Sequence, residues 1–156
     1  MVFTGKNMLT LAGIMSVLVA LLHVAIVIAG APGYRFFGAG EELARRAAAG
    51  SLLPAVLTLG IALLFAVAGL YAFSGAGWLR RLPGLLPVLV IIAAIYSLRG
   101  LSVFSELAFK VFSPPAFPLR YVIFSGVALV IGVLYVAGLK LSWQSLRANA
   151  VPPESR

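Results

Sequence analysis

Four stretches of nearly unbroken apolar residues, 8–30, 52–73, 85–105 and 120–141, set the pattern of this chain. Each matches the ~20 residues that a helix needs to cross the hydrocarbon core of a bilayer. None shows the strict alternation of a lipid-facing barrel strand, and in lipid the backbone must satisfy its own polar groups. The pattern predicts an all-α membrane protein, a four-helix transmembrane bundle forming a single domain over residues 1–147. Residues 148–156 read as a disordered tail. The first stretch ends in Ala29-Gly30-Ala31, which resembles a signal-cleavage site. Its apolar run is far longer than the ~7–15 residues of a signal h-region, so it reads as a retained span.

The connections between spans differ in character. Residues 75–84, Gly-Ala-Gly-Trp-Leu-Arg-Arg-Leu-Pro-Gly, form a tight turn with Trp78 at head-group level and Pro83-Gly84 breaking the helix. The first outer loop is longer. After Gly30-Ala-Pro-Gly33 comes an interface-seeking patch, Tyr34-Arg-Phe-Phe37, and then a short interfacial helix within residues 40–50. Glu41/Arg45 and Glu42/Arg46 are i,i+4 pairs in the favourable order, and Gly50 stops the helix. Ser51 is placed to cap the second span, with Pro54 in its tolerated first turn. This loop helix either lies on the membrane or roofs the bundle as a lid. The second outer loop, 106–119, holds Pro114, Pro115 and Pro118, which exclude continuous helix. An alternative reading carries the third span on to Phe112.

Small residues one turn apart (Ala12, Ser16 and Ala20; Ala62 and Ala66; Ala128 and Gly132) permit close helix approach. Against these apolar faces, two polar residues stand out. Arg99 lies about 21 Å along the third span and His23 about 22 Å along the first, so parallel spans place them at one level. An ionised side chain at such depth costs at least ~2.5–3.5 kcal/mol, so it is normally paired, wet or bound to something. Helical side chains lean toward the N-terminus, which points Arg99 away from the nearer surface. Glu106 falls within about 20° of Arg99 on the helical wheel, and Tyr96 lies one turn earlier.

Composition narrows the function classes. The chain is 62% hydrophobic and 10% charged, with a formal net charge of +8. Its basic residues bracket the spans and form no stripe interleaved with stacking aromatics, so nucleic acid is excluded as a partner. Cations near the span ends instead set topology and meet anionic head groups. Six basic residues fall on the side of the termini (Lys6, Arg80, Arg81, Lys140, Arg147, Arg156) and five on the other (Arg35, Arg45, Arg46, Lys110, Arg120). With the acid-free turn at Arg80-Arg81, this places both termini in the cytoplasm. Abundant Ala, Gly, Leu and Arg with three lysines points to a bacterial inner membrane.

There is no cysteine and a single histidine, which removes thiolate chemistry and any paired-histidine site. The glutamates lack the spacing of a metal site, and no serine sits in a nucleophile elbow. Neither a catalytic centre, a metal nor a cofactor is expected. The predicted function is an outward-facing polar pocket of Arg99, His23, Glu106 and Tyr96 that binds, and in one version transports, an amphiphile or small anion. Glu41, Glu42, Arg45 and Arg46 would form its lid, and membrane lipids would be its constant partners. Two other classes compete: a structural subunit of a homo-oligomer or larger membrane complex, and an enzyme on a lipid or quinone-like substrate with His23 as acid and base.

Overall fold

A computed structural model of the protein describes residues 4–112 and 118–148. Among the described residues it contains six helices and no strand: α1 (Gly5–Ala29), α2 (Ala31–Phe37), α3 (Glu41–Ala48), α4 (Leu53–Gly75), α5 (Leu85–Phe112) and α6 (Leu119–Ala148). Four of these, α1, α4, α5 and α6, are long and apolar enough to span a membrane. The chain is therefore an integral membrane protein built as a four-helix bundle.

Each boundary has a local cause. The Thr4 hydroxyl accepts from the Asn7 amide at 3.3 Å and caps α1. Gly30 ends it with φ +65°, where its amide still reaches the Ile26 and Val27 carbonyls, and Pro32 sits in the first turn of α2. The cap position of α4 is Leu52, without a side-chain cap bond, and Ser51 stands one residue before it, where its hydroxyl accepts from the Leu53 amide at 3.3 Å. The third span does not stop at Ser105: α5 continues to Phe112, because no Pro or Gly intervenes before Pro114. The first outer loop likewise holds two helices rather than one, since the aromatic patch itself winds into α2. The expected disordered tail falls almost wholly outside the described residues, as does the middle of the second outer loop.

The bundle is two antiparallel hairpins, α1 with α4 and α5 with α6, joined mainly through α1 against α6. Small residues make the seams. Gly13 of α1 lies against Phe73 and Ala72 of α4, while Gly100 of α5 meets the backbone of α6 at Leu129. The main core runs between them through Leu9, Leu89, Tyr96, Ile131 and Tyr135. At the basic end, the α4–α5 turn is pinned as the sequence predicts for a structural connection. Ser74 Oγ donates to the Arg80 carbonyl and accepts from the Leu82 amide, both at 3.0 Å. Trp78 Nε1 donates to Thr10 at 3.0 Å, and Arg81 Nη2 donates to the Leu146 carbonyl at 2.7 Å.

At the opposite end, α2 and α3 form a cap. Tyr34 and Ala44 are buried with Ile26 in a small core of their own. Phe37 stacks on Phe124 of α6 with centroids 5.6 Å apart, and Arg120 lies over the Phe36 and Tyr121 rings. The cap is therefore docked on α1, α4 and the start of α6.

Candidate functional site

The four residues singled out from the sequence do not meet in one pocket. They fall into two neighbouring groups.

The first group is centred on Arg99. Its Nη1 donates to Ser102 one turn along α5 and to Ser125 of α6, and reaches Glu106 Oε1 at 3.5 Å. Ser102 Oγ lies 3.3 Å from Glu106 Oε1 and 3.2 Å from Ser125 Oγ, which closes a four-residue cluster across the α5–α6 seam. Ser125 is fully buried, and the Glu106 side chain is 16% exposed, whereas that of Arg99 is 50% exposed. Glu106 Oε2 is buried and has no hydrogen-bond partner. The cluster thus forms a polar notch in the α5–α6 seam, with the Ser125 hydroxyl buried inside it and the Arg99 side chain half-exposed at its edge.

The direction of Arg99 corrects the sequence reading. Its partners Ser102 and Glu106 lie C-terminal to it, so the side chain runs toward the capped end, against the usual lean of helical side chains. Bonds to three oxygens outweigh a rotamer preference worth of order 0.5–1.5 kcal/mol.

The second group lies inside the bundle. Tyr96 donates to Ser16 Oγ at 3.1 Å, and Tyr135 donates to the Ala68 carbonyl at 2.9 Å. Those assignments leave the Ser16 hydroxyl to donate to Tyr135, 3.0 Å away. One chain of hydroxyls therefore links all four spans, with Ser16 and Tyr135 fully buried. An aromatic ladder runs beside it: His23 on Phe65 at 5.0 Å, Phe65 on Tyr96 at 5.8 Å, and Tyr96 on Tyr135 at 5.6 Å. His23 Nδ1 lies 2.8 Å from its own Val19 carbonyl.

His23 is consequently joined to Tyr96 through Phe65, with no bond to Arg99. Because Ser16 and Tyr96 touch, the depths can be compared directly. His23 is seven residues beyond Ser16 and Arg99 three beyond Tyr96, so His23 lies about 6 Å nearer the capped end. The sequence estimate put them level because it measured from span starts that α1 and α5 do not share.

Ser125 and Tyr135 were missed by sequence reasoning. The signal was present: Ser125, Ala128, Gly132, Tyr135 and Leu139 recur at helical spacing on the α6 stripe read only as packing.

In the cap, the ion pairs stay internal. Glu42 pairs with Arg46 at 2.7 Å as expected, and also with Arg45. Glu41 turns instead to Arg35 of α2, whose Nε and Nη2 donate to its carboxylate at 2.9–3.1 Å. A fork-to-carboxylate match across the α2–α3 turn is geometrically better than the i,i+4 contact with Arg45. Hydrogen bonding from Arg35 holds the Glu41 carboxyl below its usual range, and Arg46 does the same for Glu42. A carboxyl depressed in the folded state stabilises above its unfolded pKa, about 4.3, and that contribution fades as pH falls through the folded value. Carboxyl carbon NMR should give midpoints for both residues below about 4.3, and Arg35→Gln should return that of Glu41 toward it. A wild-type Glu41 midpoint at or above the ordinary value would contradict the pairing.

Among the described residues, no group of three or more His, Asp or Glu side chains is placed to hold a metal ion. Comparison with known proteins finds no matching family model, no similar curated protein and no similar solved structure.

Proposed function

We propose that this chain is a membrane-embedded binding protein, which takes the polar head of an amphiphile, or a small anion, into the notch at Arg99. The observation that carries the reading is the half-exposed side chain of Arg99 on a bilayer-spanning helix. An Arg held only for packing is expected to be sealed by its partners, since each exposed donor in lipid is costly. In this reading the exposed side of Arg99 is where a bilayer amphiphile enters, with its tail still in lipid. The unpartnered Glu106 Oε2 supports a head that also brings a hydrogen-bond donor. In this reading the protein sits in a bacterial inner membrane with both termini cytoplasmic, and the cap residues Glu41, Glu42, Arg45 and Arg46 stiffen the roof of the bundle. Transport would be a further step from the same site.

A structural subunit is the second reading, and one observation favours it: Arg99 bonds to Ser125, so it also clamps α5 to α6. Native mass spectrometry of the purified protein, with lipid analysis of what is released, separates the two. The proposal expects a retained amphiphile that is lost when Arg99 is replaced. A bare chain mass, with stable association into oligomers, would favour the structural role.

A further inference from the structure

A different face of the α5–α6 hairpin carries a second, unrelated feature. Gly100 and Gly132 bring the two backbones into contact, with Gly132 lying against the Ser97 backbone. From there toward the basic end a shallow groove of about 300 Å³ opens, lined by Ala93, Ala94 and Ser97 of α5 and by Val136, Lys140 and Trp143 of α6. Small side chains on α5 make its floor, and the Trp143 indole makes a wall. Lys140 and Trp143 also border a second hollow of about 380 Å³ that takes in Gln144. An almost wholly apolar trough thus adjoins a partly polar recess bordered by Lys140 and Gln144. That shape matches an acyl chain followed by a head group.

Charge selects the head. Lys6, Arg80, Arg81, Lys140 and Arg147 all belong to this end of the bundle, while the acids among the described residues, Glu41, Glu42 and Glu106, belong to the other. Among the described residues, no carboxylate at this end competes for Lys140. Tryptophan at the mouth is the residue type that settles at the head-group boundary. A basic recess beside an apolar trough between spans is the arrangement that distinguishes anionic from neutral lipid.

We infer that this groove is a binding site for an anionic phospholipid, its upper acyl chain along Ala93, Ala94, Ser97 and Val136 and its phosphate against Lys140. From Val90 to Ser97 the trough follows about 10 Å of helix rise, the length of the upper part of an acyl chain. The site is separate from the Arg99 notch in residues and in depth, and it does not depend on it.

The test uses the fluorescence of Trp143. The chain has two tryptophans, and in a Trp78→Phe variant of the full-length protein Trp143 is the one reporter. Reconstituted in phosphatidylcholine, this variant is exposed to phosphatidylglycerol or phosphatidylcholine with brominated chains, which quench indole on contact. Brominated phosphatidylglycerol should associate about five-fold more strongly, which is what one lysine near the surface contributes. Lys140→Gln should bring that ratio to about one, Ala94→Leu should weaken quenching by both lipids, and Arg99→Leu should leave the ratio unchanged. Equal quenching by the two lipids in the presence of Lys140 would overturn the inference, as would a ratio that survives Lys140→Gln. Protection of Trp143 from both lipids by a second copy of the chain would also overturn it. Should Trp78→Phe fail to fold, native mass spectrometry of the wild-type chain and Lys140→Gln reads the same preference. Loss of retained phosphatidylglycerol in the variant supports the site, and equal retention removes it.

Discussion

Replacing Tyr135 with alanine is expected to cost about 3–5 kcal/mol of folding free energy, the range for deleting a large buried aromatic. Tyr135 has no exposed surface and stands where α6 meets the other three spans. Its removal takes away the ring stacked on Tyr96, the acceptor for the Ser16 hydroxyl and the donor to the Ala68 carbonyl. Tyr135→Phe separates packing from polarity. It keeps the ring and should cost only about 1 kcal/mol, because hydrogen bonds between membrane spans average about 0.6 kcal/mol and reach about 1.7. Ser16→Ala in the same background should cost about a further 0.6 kcal/mol, because the bond between the two hydroxyls is already gone but the Tyr96 hydroxyl then loses its acceptor. Unfolding in mixed micelles, followed by far-UV circular dichroism, gives all three values. A Tyr135→Phe loss as large as that of Tyr135→Ala would show that the hydroxyl chain, rather than the ring, holds the centre.

Gly100→Ala is expected to be the other severe substitution. A Cβ at this position would stand 2.5 Å from the Leu129 amide nitrogen, and backbone cannot move aside as a flexible side chain can. The α5–α6 seam must then part, taking with it the hydroxyl contacts of Ser102 and Arg99 with Ser125. Overpacking of this kind costs typically 1–3 kcal/mol, and a backbone neighbour places it at the upper end, about 3 kcal/mol. Gly126→Ala is the matched control on the same hairpin, because its Cβ would meet nothing within 4 Å. It should be close to neutral in the same unfolding assay. Equal stability of the two variants would contradict the packing described for the seam.

The spans were legible in the sequence because lipid imposes one demand on every residue over a fixed length, and runs of Leu, Val, Ile and Ala meet it openly. The α4–α5 turn was legible for the same reason, through Trp78, Arg80, Arg81 and Pro83. The end of α5 was less so. Glu106 and Lys110 look like the polar start of a loop, yet as an i,i+4 pair they also suit a helix that leaves the bilayer. The first outer loop misled because Arg35 was counted as part of an aromatic patch, while in three dimensions the Gly38–Gly40 turn swings it onto Glu41.

The candidate site was legible only in part. Arg99 and Glu106 share one helix, so a wheel could place them together. Ser125 comes from another span, and pairing it with Arg99 requires the register of α5 on α6. That register is set at Gly100 and Gly132, whose role is apparent only when the opposing backbone is known. His23 illustrates the converse. Its wheel position correctly turned it toward a neighbouring helix, but nothing in one sequence could say that Phe65 would be there.

The claim that Arg99 holds a ligand, and is not merely a clamp, is tested most directly by Arg99→Leu with amphiphile retention and folding free energy measured on the same preparation. Removing the charge also removes its cost in lipid but would strand the Glu106 carboxylate, so Glu106→Gln accompanies Arg99→Leu and both charges leave together. The account predicts loss of the retained amphiphile, with stability changed by less than about 1 kcal/mol. A chain that unfolds on the double substitution, folds with Arg99→Lys alone and retains the same amphiphile whenever folded would contradict it.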